Sequence, residues 1–191
     1  ITATHNSNGY GRHQNTVGRT DEYLTPPYIV RALGEFDLDP CSPVNRPWDT
    51  AKHHFTVLDN GFLQDWFGRV WLNPPYSQMY RWVNKLALFG NGIALIFNRS
   101  DVPRFQDNIL SYTDAVLLIK KRLQFLGADG SVIIDKRGRK SNATAPSILC
   151  AFGEKNVQAM HDAKNSGKIT GTIMYPASRI PIIVIGFSST W

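Results

Sequence analysis

The sequence predicts an α/β fold with a mainly parallel sheet, and three observations carry that reading. Apolar runs of strand length alternate with segments of helical period along most of the chain. Residues 93–97 and 115–119 are continuous apolar runs, as expected of strands buried on both faces. The chain has 191 residues, 42% of them hydrophobic and 12% aromatic, enough for one packed core and too apolar for a disordered chain.

The elements follow in order. Residues 1 to about 20 are polar and rich in Gly, Asn and Thr, and read as a flexible tail ahead of a single domain over 21–191. Thr25 is a good N-cap, Pro26 and Pro27 suit a first helical turn, and Gly34 is a stop, so a helix is predicted over about 26–33. Phe36 and Leu38 mark a strand ending at Asp39-Pro40, residues 41–52 form a loop, and 53–58 suit a strand. A strand over 70–72 is cut off by Pro74-Pro75. Ser77 is placed to cap a helix in which Met79, Trp82, Val83, Leu86 and Ala87 recur at helical spacing and which Gly90 ends. A short helix is predicted over 103–110. Residues 123–126 and 132–134 flank Gly127-Ala128-Asp129-Gly130, a hairpin signal. Strands over 147–152 and 182–187 enclose a helix over 154–165. Trp48, Trp66, Trp71 and Trp82 read mostly as core.

Composition excludes several classes. No run approaches the roughly 18–20 apolar residues that span a bilayer, and neither a membrane partner nor a secretory leader is expected. Two cysteines, Cys41 and Cys150, make no disulfide framework, and a reducing cytoplasm is the expected compartment. His53 and His54 are neighbours in a strand, face opposite sides and are poor joint ligands, so no metal is expected. Gly9-Tyr10-Gly11 lacks the third glycine and the preceding strand of a dinucleotide fingerprint, which sets a nicotinamide-dependent oxidoreductase aside. The net charge is +6. Between Lys120 and Lys140, seven bases (Lys120, Lys121, Arg122, Lys136, Arg137, Arg139, Lys140) face two acids, Asp129 and Asp135. One segment thus holds most of the excess, which points to a polyanionic partner, nucleic acid first.

Two loops fall beyond the carboxyl ends of strands, where ligands sit in such sheets. They are Asp39-Pro40-Cys41-Ser42 and Asn73-Pro74-Pro75-Tyr76. In the second, two prolines stiffen the chain and leave carbonyl oxygens as its main-chain groups. Asn73 adds an acceptor and Tyr76 a flat ring. A planar amine on an aromatic base can donate its two hydrogens to the Asn73 side chain and the Pro74 carbonyl while stacking on Tyr76. Two aimed acceptors favour the positive charge that develops on that nitrogen as it attacks an electrophile. By chance, an Asn/Asp-Pro-Pro-aromatic tetrapeptide would occur in roughly one chain of this length in a hundred.

Asn73-Pro74-Pro75-Tyr76 resembles the catalytic signature of S-adenosylmethionine-dependent amino-methyltransferases. The wider stretch, Asp21-Glu22-Tyr23-Leu24-Thr25-Pro26-Pro27 through Phe36-Asp37-Leu38-Asp39-Pro40-Cys41 to Tyr76, is similar to the phage-type DNA N6-adenine methyltransferases. Asn98-Arg99-Ser100-Asp101 and Ala145-Pro146-Ser147 also sit where that family carries similar segments. The resemblance covers roughly residues 20–153. It implies a Rossmann-like class I methyltransferase fold, S-adenosylmethionine as cofactor, and methylation of adenine N6 in double-stranded DNA, in a bacterial cytoplasm if phage-encoded. A monomer is the expected state. The resemblance assigns Asn73, Pro74, Pro75 and Tyr76 to catalysis. It assigns Asp39, Pro40, Cys41 and Ser42 to the methionine end of the cofactor, with Tyr23, Thr25 and Pro26 closing over it. Asp59, with Asp65 as rival, is the candidate for the cofactor's ribose or adenine. The glycine-rich cofactor turn of many methyltransferases is replaced by Cys41-Ser42-Pro43. Arg99 is a candidate for the DNA-facing rim, or for an ion pair with Asp101. The 120–140 hairpin, with Lys121, Arg122, Lys136, Arg137, Arg139 and Lys140, is the candidate recognition element. The tetrapeptide by itself does not separate adenine from cytosine N4, RNA or protein amides, and a catalytically dead DNA-binding module on the same fold is the alternative from another class.

Overall fold

A computed structural model describes residues 23–134, 138, 140, 143 and 145–176. The polar tail, Asp21, Glu22, Lys136, Arg137, Arg139 and the strand predicted over 182–187 lie outside the described residues.

The chain runs α1 (Pro27–Ala32), β1 (Leu38–Asp39), β2 (His53–His54), β3 (Val70–Leu72), a 3-10 turn (Tyr76–Gln78), α2 (Met79–Phe89), β4 (Gly92–Phe97) and α3 (Pro103–Phe105), which continues as a π turn (Gln106–Leu110). There follow β5 (Ala115–Ile119), β6 (Ser147–Phe152), α4 (Glu154–Asn165) and β7 (Gly171–Met174). Among the described residues the strands form one sheet in the order β2-β1-β3-β4-β6-β5-β7. The β2-β1-β3-β4 half is parallel. Strand β6 enters between β4 and β5 and pairs antiparallel with both, and β7 is antiparallel to β5. The sheet is thus mixed around a parallel core.

The continuous apolar runs are explained by helices on both faces. Alternate residues of each strand separate into two cores. Trp71, Ile93, Leu95, Leu117 and Leu149 pack with Ile29 and Val30 of α1 and Met160 and Ala163 of α4. Val70, Leu72, Ala94, Ile96 and Cys150 pack with Met79, Trp82, Val83 and Leu86 of α2, and with Phe105 and Ile109. Gly90, at φ 78°, ends α2 in the left-handed conformation.

Four local expectations are corrected. Pro26, not Thr25, occupies the N-cap of α1, and no side chain caps that helix. Ser77 lies inside the 3-10 turn and Gln78 takes the N-cap of α2. The strand predicted over 53–58 stops at His54, because the Asp59 carboxylate accepts bonds from both Thr56 N–H and Thr56 Oγ1 at 2.8 Å and turns the chain. The hairpin is formed, but its arms meet through a single bridge, Leu126 to Val132. Strand β7, which ends the sheet among the described residues and whose burial alternates, has no counterpart among the predicted elements. Trp66, Trp71 and Trp82 are core, as expected, while Trp48 is only half-buried.

Beneath the parallel half, at the amino ends of its strands, a polar cluster ties the layers together. Buried Asn156 of α4 donates through Nδ2 to Asn91 Oδ1 (3.0 Å) and Phe152 O (2.7 Å) and accepts from Arg69 Nε (2.7 Å). Arg69 also donates to the Glu35 carbonyl and lies 4.2 Å over the Phe36 ring. Asn156→Ala strips a hydrogen bond from the buried Phe152 carbonyl and from half-buried Asn91 and Arg69, and should lower the free energy of unfolding by about 2–3 kcal/mol in urea titration. A change below about 0.5 kcal/mol, the range of ordinary surface substitutions, would show the cluster to be dispensable.

Candidate active site

From β1 the sheet grows in both directions, to β2 on one side and β3 on the other. This is a topological switch point, and its crevice lies beyond the carboxyl ends of β1 and β3. Asp39 ends β1 and Asn73 follows β3. A cavity of about 560 Å³ opens there, a size suited to a nucleoside-bearing ligand. It is lined by the three segments that the sequence singled out: Tyr23–Thr25, Asp39–Pro43 and Asn73–Tyr76.

These segments touch one another. Asn73 Nδ2 donates to the Tyr23 carbonyl (3.1 Å), which leaves the oxygen end of the amide as the acceptor it offers elsewhere. The Cys41 thiol donates to the Asn73 carbonyl (3.3 Å). Burial, and then the neighbouring Asp39, push that thiol's pKa well up, so Cys41 is a neutral donor and not a nucleophile. The Pro74 carbonyl accepts no bond from any described residue. The Tyr76 ring stacks on Phe97 at 4.0 Å between centroids and 23° between planes, and is 39% exposed, so one face is backed while the side chain still lines the cavity. Burial raises its phenol pKa, which keeps the ring neutral.

Asp39 is buried. Its Oδ2 accepts from Thr50 Oγ1 (2.5 Å) and its Oδ1 from Cys41 N–H (3.1 Å). Desolvation nevertheless pushes its pKa up to about 6, against those hydrogen bonds and the charge of Arg46. The wall beyond is built from the segment 56–62. Gly61 approaches the Pro40 carbonyl so closely that a Cβ there would stand 2.0 Å from it. The Trp66 indole N–H holds the Gly61 carbonyl (2.9 Å), and Lys85 of α2 holds the Phe62 and Gln64 carbonyls.

Not every expected residue joins the site. Pro26 and Asp59 do not line the cavity, nor does Asp65. Asp59 Oδ2 accepts both bonds from Thr56, and it is Thr56, Val57 and Asn60 that reach the cavity instead. Arg99 is exposed two residues past Phe97, and no ion pair joins it to Asp101 among the described residues. Lys121, Arg122 and Lys140 are exposed, and Arg122 Nη1 donates to the Ala143 carbonyl. The hairpin is tied to the site at its base. Leu126 and Leu24 exchange both backbone bonds at 3.0 Å, and Phe125 lines the cavity. Arg46, Trp48, Thr50, Phe62, Trp82 and Phe125 also line the cavity and carried no signal in the sequence beyond their types. Among the described residues, no group of three or more His, Cys, Asp or Glu could hold a metal. No described helix is long and apolar enough to cross a membrane.

A family model described as DNA N-6-adenine-methyltransferase (Dam) matches residues 14–168. The chain belongs to the DNA N-6-adenine-methyltransferase family. The match spans every segment that lines the cavity, and the mixed sheet with its parallel core and flanking helices is consistent with the class I methyltransferase fold. Comparison with curated proteins and with solved structures gave no match.

For a methyltransferase of this family the cavity's chemistry is apt. Thr25 Oγ1 and Trp82 Nε1, on two residues that line the cavity, are buried without a hydrogen-bond partner. A buried carboxylate with a raised pKa also favours a cationic guest. The folded protein binds the Asp39 proton more tightly than the unfolded chain does, so this group's stabilisation is full below about pH 4 and lost as pH rises through about 6. Asp39→Asn should therefore remove a fall in stability on the order of 3 kcal/mol across that window. Urea titrations at pH 4, 5, 6 and 7 measure it, and equal slopes for the two proteins would place the Asp39 pKa near that of the unfolded chain.

Proposed function

We propose that this chain transfers a methyl group from S-adenosylmethionine to the exocyclic N6 of adenine in double-stranded DNA, with the target base swung out of the helix into the cavity. The observation that carries the reading is the pair of acceptors after β3. The Asn73 amide is oriented by the Tyr23 carbonyl, and the Pro74 carbonyl beside it is unused by any described residue. S-adenosylmethionine supplies an electrophilic methyl group on a sulfonium. The chain's own residues do the rest. Asn73 Oδ1 and the Pro74 carbonyl accept hydrogen bonds from the two amine hydrogens, which draws the nitrogen lone pair out of the ring and stabilises the charge that grows there as the methyl–sulfur bond breaks and S-adenosylhomocysteine leaves. Tyr76, backed by Phe97, stacks on the extruded base and offsets part of the few kcal/mol that flipping costs. Amide oxygens are too weakly basic to keep a proton, so it passes to solvent after transfer. Asp39, with Cys41 and Ser42 beside it, holds the amino-acid end of the cofactor. Exposed Arg99, Lys121, Arg122 and Lys140 meet phosphates.

Incubation with methyl-labelled S-adenosylmethionine and unmethylated DNA, followed by digestion to nucleosides, tests the reading. Label is expected in N6-methyl-2′-deoxyadenosine. Asn73→Ala should lower kcat by roughly 100-fold or more while S-adenosylhomocysteine still binds. Label in a cytosine nucleoside would keep the mechanism and change the base, and cofactor-independent DNA binding without label would favour a dead module. The DNA face is tested by salt. Replacing Arg99, Lys121 and Lys140 with Gln should flatten the plot of log affinity against log salt by about 0.9 for each phosphate no longer neutralised. An unchanged slope would place the DNA on another face.

A further inference from the structure

The first four positions after β1, residues 40–43, have no backbone donor to spare for an anion. Pro40 and Pro43 have no N–H. Cys41 N–H is spent on Asp39 Oδ1 (3.1 Å) and Ser42 N–H on the Phe55 carbonyl (3.0 Å). The four positions from 40 to 43 are therefore closed to a carboxylate, where a glycine-rich turn would offer a cradle of amides. The amino-acid end of S-adenosylmethionine is a zwitterion. Asp39 suits its ammonium and repels its carboxylate, so a cation close by would complement the carboxylate.

Two residues lining the cavity are permanently cationic, Arg46 and Arg81. Arg81 belongs to α2, and its guanidinium lies 3.7 Å over the Phe62 ring. Arg46 belongs to the same loop as Cys41 and Ser42, near enough to Asp39 for its charge to favour the Asp39 carboxylate. Its side chain is 28% exposed, and its Nε is held by Asp49 Oδ1 at 3.0 Å. No described residue bonds its two terminal nitrogens. The bond at Nε sets the plane of the guanidinium and leaves the end that makes paired bonds to a carboxylate.

We propose, on the cofactor reading given above, that Arg46 binds the carboxylate of S-adenosylmethionine while Asp39 binds its ammonium, a side-chain clamp in place of a backbone cradle. The probes are S-adenosylhomocysteine and its decarboxylated analogue, which keeps the amine, titrated calorimetrically into the full chain. The unaltered protein should prefer S-adenosylhomocysteine by about tenfold or more, the worth of a charged hydrogen-bonded pair. Arg46→Gln should abolish that preference while binding the decarboxylated analogue as the unaltered protein does, which also shows the site to be intact. Should Arg46→Gln bind neither probe, Arg46→Lys decides: a reduced but surviving preference supports the clamp, and an undiminished one overturns it. An Arg46→Gln protein that keeps the full preference overturns it, as does an unaltered protein with no preference. Full preference with weakened DNA binding assigns Arg46 to phosphate instead. If the unaltered protein binds neither probe, the cofactor reading itself falls.

Discussion

The hydrogen bond from Asn73 Nδ2 to the Tyr23 carbonyl is the constraint on which the candidate site depends. A side-chain amide presents either a donor or an acceptor, and the chemistry needs the acceptor. A carbonyl fixed beside Nδ2 decides the matter. That carbonyl is held in turn, since the next residue, Leu24, exchanges two backbone bonds with Leu126 at the base of the basic hairpin. Pro26 and Pro27 then stiffen the entry to α1. The element proposed to meet DNA and the amide proposed to meet adenine are thus joined through three residues, 24, 126 and 23.

Polar groups around the cavity are arranged around positive charge. Asp39 is buried, and Cys41 and Tyr76 stay neutral because burial raises their pKa values. Acceptors dominate the Asn73–Tyr76 loop, because two of its four residues have no N–H. Such an environment suits a sulfonium, an ammonium and an amine gaining charge, and it suits a carboxylate poorly. Arg46 is the exception, and the proposal that it holds the cofactor's carboxylate follows from that contrast.

Rigidity comes from side chains that hold loop carbonyls. Residues 56–64 contain no strand or helix, yet Trp66 and Lys85 bind three of their carbonyls, and Phe62 is packed between Arg81 and Trp82. The close approach of Gly61 to Pro40 then sets the distance between this wall and the loop after β1. Preorganisation of this kind lets a site act through fixed dipoles without reorganising during the reaction.

What depends on near neighbours was legible in the sequence. The strands over 70–72, 115–119 and 147–152, the helix over 154–165 and the stiff Asn73–Tyr76 loop all follow from local period, proline geometry and glycine stops. What depends on distant partners was not. Asp59 has the look of a ligand residue in the sequence, but in the fold its Oδ2 accepts from Thr56 and the residue does not line the cavity. Thr25 has the look of a cap, but its hydroxyl is buried on the cavity wall. The antiparallel insertion of β6 between β4 and β5 leaves no mark on a buried strand, because parallel and antiparallel strands bury the same alternating faces. The shortage of N–H groups after β1 was half visible in Pro40 and Pro43. The other half needed the fold, since only the tertiary structure brings Phe55 against Ser42. The sequence by itself determined which chemical groups the site contains. The tertiary structure decided which of them are left free to act, because a hydrogen-bonding group already satisfied within the protein has little to offer a ligand.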